Sequence, residues 1–165
     1  MRRRKGWLLA GVGLPCLAIG LTAAPLGEHS FEAKLRGFEA VPAVSTLGRG
    51  ELRMQLNRDE TVLAFELTYW DLQANPTVAQ VHLGQRGVNG GVMFFLCGGG
   101  KLACPPFPGR VTGTVTGHDI VSLMDQGINE GQFDEVIRAI RHGVTYVNVY
   151  RFPAGEIRGQ ITSSD

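Results

Sequence analysis

Apolar and polar residues alternate through most of this chain. Phe31, Ala33 and Leu35 alternate with Glu32, Lys34 and Arg36, and Leu52, Met54 and Leu56 alternate with Glu51, Arg53, Gln55 and Asn57. After the polar turn Arg58-Asp59-Glu60, Leu63, Phe65, Leu67 and Tyr69 line one face of a third segment. A period of two sends every second side chain to the same side of a strand. These segments therefore read as antiparallel strands with one face in a core and the other in water. Further strands are expected at 77–83, 91–96, 110–116, 145–150 and 156–162. Gly-rich or Pro-rich connections at 84–91, 98–109 and 152–155 separate them, as turn chemistry requires.

One stretch follows a different period. Phe133, Val136, Ile137 and Ile140 fall at i, i+3, i+4 and i+7, the single apolar stripe of a helix. Glu130, Asp134 and Glu135 lie in or near its first turn, Arg138, Arg141 and His142 toward its end, and Gly143 at the C′ position. A shorter helical turn is expected to start at Thr116, capped against Asp119, with Ile120, Leu123 and Met124 facing inward. Eight strands, with one or two short helices inserted before the last of them, predict a mainly-β fold. Its expected form is an antiparallel β-sandwich with Greek-key character.

The N-terminus has the three parts of a secretory signal. Arg2, Arg3, Arg4 and Lys5 are basic, residues 7–21 are apolar, and 21–24 supply small residues for cleavage near Ala23 or Ala24. The expected organisation is a signal peptide over 1–24 and one domain over 25–165, with its core at about 31–162. An uncleaved anchor is disfavoured, because Gly11, Gly13, Pro15 and Gly20 interrupt the apolar run. Acylation at Cys16 is disfavoured by the Gly13-Leu14-Pro15 before it. The mature chain is thus expected to be secreted or periplasmic, with no stable membrane span. Losing Cys16 leaves Cys97 and Cys104, which in an oxidising compartment predict a disulfide. Their six-residue spacing does not fit the C-x-x-C of a metal or redox pair.

Composition narrows the field further. Glycine is 23 of 165 residues, while Phe, Trp and Tyr number 8, 2 and 3, which favours short strands and tight turns over a helical bundle. At 44% hydrophobic the chain is not disordered. The formal charge of +1 counts the four basic residues of the leader. Without them, twelve Lys and Arg face fifteen Asp and Glu, which argues against a nucleic-acid binder.

Catalytic and cofactor signatures are sparse. Ser30, Ser45, Ser122, Ser163 and Ser164 lack a G-x-S-x-G elbow, and Gly98-Gly99-Gly100-Lys101 lacks the rest of a phosphate-binding loop. No cofactor is expected. Among His29, His82, His118 and His142, only His82 stands at a strand end opening into a glycine loop. It is the one metal-ligand candidate, and no second His, Cys or carboxylate is spaced to join it locally. Toward the C-terminus, alternation puts Glu156, Arg158 and Gln160 on one face of a strand and Tyr146, Asn148 and Tyr150 on one face of another. A hairpin through 152–155 would merge them into a polar patch of His82, Asn148, Tyr150, Glu156 and Arg158. Two readings stand side by side. In one, Glu156 and Arg158 form an ion pair within a hydrogen-bond network beneath a neighbouring strand. In the other, the patch contacts a ligand.

The same residues carry a family resemblance. Tyr146-Val147-Asn148-Val149, followed by Phe152-Pro153-Ala154-Gly155-Glu156-Ile157-Arg158-Gly159-Gln160-Ile161, resembles the closing signature of CHRD domains, named for their presence in chordin. Residues 31–42 (FEAKLRGFEAVP) resemble the opening strand of that family, and Val81-His82-Leu83-Gly84 with Val88-Asn89-Gly90-Gly91-Val92 its histidine-glycine loop. The cysteine stretch, Phe95-Leu96-Cys97 to Ala103-Cys104-Pro105, is similar to that of a bacterial secreted subset. The resemblance implies an extracellular or periplasmic β-rich module without an established catalytic activity, with an extracellular or envelope protein or ligand as its partner. Two departures bear on metals. Gln80 and Tyr150 stand where the family commonly has histidines. The runner-up reading, a metal-binding or superoxide-dismutase-like domain using His82, therefore starts with most of its ligands missing.

Overall fold

The computed structural model describes residues 29–151 and 153–164. The expected signal peptide and Cys16 lie outside the described residues. Nine strands and one α-helix follow in order: β1 (Ser30–Arg36), β2 (Arg49–Leu56), β3 (Leu63–Trp70), β4 (Val78–Leu83), β5 (Val92–Cys97), β6 (Gly109–Val115), α1 (Phe133–Arg141), β7 (Thr145–Arg151), β8 (Ala154–Gln160) and the two-residue β9 (Thr162–Ser163). All the strand pairings are antiparallel. The alternation of β1 to β3 becomes their burial pattern directly: Phe31, Leu35, Leu52, Leu63 and Leu67 are buried, while their sequence neighbours face outward.

Strand order is β5-β4-β7-β8-β1-β2-β3-β6, with β9 beside β1. The mainly-β, antiparallel expectation is met, and the two layers are halves of one continuous sheet. The β3–β4 and β6–β7 connections each pass over other strands, which gives the Greek-key character. β5 and β6, at the two ends of the path, touch, so the sheet nearly closes on itself. Both halves contribute to a single apolar core. The seam between them, β8 against β1, is narrow, with Arg36 and Arg158 as its one register pair. Gly159 is needed there, since a Cβ at this position would lie 2.5 Å from the Lys34 carbonyl oxygen.

The expected helix forms at Phe133–Arg141 and buries Phe133, Val136, Ile137 and Ile140. It ends as its sequence indicates. Gly143 takes φ +65°, its N–H donates to the Ile140 carbonyl at 2.9 Å, and the Val144 N–H reaches back to Ala139 at 3.3 Å, a Schellman closure. The Thr116 turn also forms, over Gly117–Asp119, with Asp119 Oδ2 accepting from the Thr116 N–H at 2.8 Å. It stops after three residues, so only part of its expected inner face holds. Ile120 is buried, Leu123 is half-buried, and Met124 is exposed. Cys97 and Cys104 are joined as a disulfide with their Cα atoms 5.0 Å apart, tying the end of β5 to the segment leading into β6.

Candidate functional site

The register of β4, β7 and β8 assembles a polar layer on the sheet face away from the core. His82 lies opposite Tyr146, and Tyr146 opposite Gln160. One row along, Gln80 lies opposite Asn148, and Asn148 opposite Arg158. The intervening Val81, Val147, Val149 and Ile157 are fully buried in the core. Yet His82, Asn148 and Arg158 are themselves buried, at 4%, 7% and 2% exposure. Their cover is the glycine-rich connection after β4, which folds back across this face.

Arg158 fastens that connection. Its Nη2 donates to the main-chain carbonyls of Gln85 (3.0 Å) and Val88 (2.9 Å), and Nη1 donates to Asn89 Oδ1 at 3.4 Å. Its guanidinium lies 3.5 Å from the centre of the Tyr146 ring, a cation–π contact strengthened by the lack of water. Burial lowers the proton affinity of this guanidinium, and nearby groups such as Tyr146 and Glu39 partly restore it. Gln160 Nε2 adds bonds to the Gly84 carbonyl (3.0 Å) and the Gly143 carbonyl (2.9 Å), and the Gly90 N–H donates to the Tyr146 hydroxyl at 3.1 Å.

His82 stacks on Tyr146, with ring centroids 4.7 Å apart and planes within 3°. Its Nδ1 faces the Gly90 carbonyl at 3.1 Å, and Nε2 faces the Tyr150 hydroxyl at 3.4 Å. A carbonyl only accepts, so Nδ1 carries the proton and Nε2 accepts from Tyr150. Burial pulls the His82 pKa below its usual value; the Gly90 bond opposes this, and the charge of Arg158 adds to it. The half-buried Tyr150 is shifted up, chiefly by burial.

Glu156 does not belong to this cluster, which corrects the expectation of a Glu156–Arg158 ion pair. Val149 pairs with Ile157 and Tyr150 with Gly155, so Glu156 is the extra residue of a β-bulge and falls out of register. Its carboxylate, 1% exposed, accepts from Thr46 Oγ1 (2.7 Å) and the Gln73 N–H (2.8 Å), and its cation is Arg151, with Nε 3.1 Å from Oε2. Glu156 thus clips the 37–48 and 71–77 connections to the sheet. Thr46, Gln73 and Arg151 carry no local signal of this role, because two of them are far from Glu156 in sequence. Asn89, which also holds Arg158, lies in the glycine loop already singled out.

Two comparisons return nothing: no curated protein and no solved structure matches this chain. A family profile does. The profile described as CHRD domain matches residues 31–161. The chain belongs to the CHRD domain family. The match spans β1 to the end of β8. In this CHRD domain the closing signature is the β7–β8 hairpin at the middle of the sheet, and the histidine-glycine loop is the cover that Arg158 holds. Gln80 and Tyr150 lie on the same face as His82, so His82 Nε2 meets a phenol where the resemblance placed an imidazole. Among the described residues, no three His, Cys, Asp or Glu gather to hold a metal ion.

Proposed function

We propose that this CHRD domain is exported and acts outside the cytoplasm as a non-catalytic binding or structural module. One observation carries the reading. Most donors of the candidate site are engaged with the protein's own main chain and rings, although Asn148 Oδ1 and Gln160 Oε1 are buried without a partner. Arg158 donates to loop carbonyls, His82 is hydrogen-bonded at both nitrogens, and Gln160 bridges two carbonyls. Such a layer fixes a loop on a sheet, as a rigid display scaffold requires. The Cys97–Cys104 disulfide agrees with an oxidising compartment.

The test is to express the full chain with a C-terminal tag in an exporting bacterial host. The product should be recovered from the periplasm or medium, begin near Pro25, and show neither Cys97 nor Cys104 modified by alkylation without reductant. Cytoplasmic retention with free thiols would overturn the reading.

A further inference from the structure

A second surface lies where β1, β2 and β3 end. Arg36 pairs in register with Arg49, and Arg49 with Trp70. Beside this row the 37–48 connection rises to enclose an open groove of about 350 Å³. Phe38 and Leu47 stand on its walls at 75% and 86% exposure, and the half-buried Trp70 also lines it. Isolated exposed apolar residues are ordinary, but three around one groove form a patch.

The charges here break a rule that the rest of the face obeys. Glu32 lies opposite Arg53, Arg53 opposite Glu66, and Lys34 opposite Glu51. Arg36, by contrast, has Arg49 on one side and Arg158 on the other. Like charges directly opposite weaken an antiparallel pair. Arg49 is neutralised by Asp71 at 2.9 Å, and its guanidinium carbon sits 5.5 Å from the centre of the Trp70 ring. Glu51, the one acidic lining residue, is paired at 3.4 Å with Arg53. Among the described residues, Arg36 and Lys34 have no hydrogen-bond or ion-pair partner through their side chains. The groove therefore presents the unmatched charge of Arg36 beside exposed apolar walls.

Those walls are held in place before any ligand arrives. Thr46 donates to the buried Glu156 and accepts from the Gly48 N–H at 2.9 Å. Gln73 Nε2 donates to the Ser45 carbonyl at 3.2 Å, and the Val44 N–H to the Gly37 carbonyl at 2.9 Å. A prearranged site avoids the ordering cost of binding.

We propose that this groove docks an acidic peptide segment bearing aromatic or aliphatic side chains, contributed by a protein partner. The proposal rests on the module reading above and names its docking surface. A carboxylate matches the planar donor fork of Arg36, and Phe38, Leu47 and Trp70 match apolar side chains two or three residues away. Aromatic and arginine anchors are what dominate peptide and protein interfaces. A phosphate ligand alone would leave Phe38 and Leu47 without a role.

The experiment uses the full chain carrying Trp7→Phe, which leaves Trp70 as its one indole. A phage-displayed peptide library is panned on the immobilised protein, and enriched peptides are titrated by Trp70 fluorescence. The enriched set should pair Asp or Glu with Phe, Leu, Ile or Trp. Arg36→Gln and Phe38→Ala should each weaken binding about tenfold, with near-UV circular dichroism unchanged. Raising salt from about 0.05 to about 0.5 M should weaken it further. The proposal is overturned if nothing enriches, if the enriched peptides lack acidic residues, or if Arg36→Gln binds as tightly as the parent. Binding of polygalacturonate, unaffected by Phe38→Ala, would also overturn it in favour of charge alone. Failure here in a chain that is exported leaves the module reading standing. Retention in the cytoplasm overturns that reading whatever the groove binds.

Discussion

Arg158→Ala removes the side chain that fastens the 84–91 connection, and the structure sets the size of the effect. Two good charge-assisted bonds to main-chain carbonyls are lost, at 3.0 and 2.9 Å, together with a ring contact at 3.5 Å. Hydrogen bonds to charged groups contribute about 1.5–3 kcal/mol each, and a desolvated cation–π contact about 2. The variant also escapes the cost of burying a guanidinium, and the freed carbonyls turn to water as the loop lifts. The net destabilisation is about 3 kcal/mol, which in a domain of this size is about 10 °C in Tm. Arg158→Lys keeps the charge but loses the planar fork, and should recover less than half of this. Urea unfolding followed by circular dichroism gives the global figure. Hydrogen exchange gives the local one, with amides at 84–91 opening before those of β1 to β3. A loss under about 1 kcal/mol, with exchange at 84–91 unchanged, would refute the role assigned to Arg158.

Two further perturbations follow from the same geometry. Glu156→Gln keeps an acceptor for Thr46 and Gln73 but sets an uncharged amide against Arg151, so it should cost about 1–2 kcal/mol; Glu156→Ala should cost about 3. The alanine variant should also speed exchange at Gln73 and Gly48; an effect confined to β8 would show that Glu156 does not clip the two connections. His82 is held neutral among Tyr146, Tyr150 and Arg158, with its pKa below the ordinary 6.5. Below about pH 6.5 the unfolded chain binds a proton that the folded chain refuses, so stability falls as pH drops from there toward the folded value. The urea midpoint should therefore fall more between pH 7 and 5 in the wild type than in His82→Gln, and equal falls would contradict the buried, neutral imidazole.

Local periodicity carried most of the architecture. β1, β2 and β3 alternate because one face meets the core, and α1 announces itself by four apolar residues and a C′ glycine. His82, Asn148, Tyr150 and Arg158 do meet on one face, since strict alternation on β4, β7 and most of β8 puts them there. Glu156 escaped because a bulge adds one residue without any local sign, and a period of two then mis-assigns its neighbourhood. Met124 faces outward because the turn stops after three residues, short of the longer helix that would carry it to the inner face. The groove was invisible for another reason. Arg36, Phe38, Leu47 and Trp70 are brought together by the pairing of β1, β2 and β3 and by a clip to Glu156, which is remote from all of them in sequence.

The position of β8 has a consequence for how the chain comes to fold. It is the last long strand in sequence among the described residues, yet it lies between β7 and β1 and joins the two halves. During synthesis the bridge between β7 and β1 cannot form until residues 154–160 have emerged. Until then β1 and β7 each present an unpaired edge. Closure also demands contacts between distant parts of the chain, which form slowly. A domain whose keystone strand follows all its other long strands commits to its native shape late.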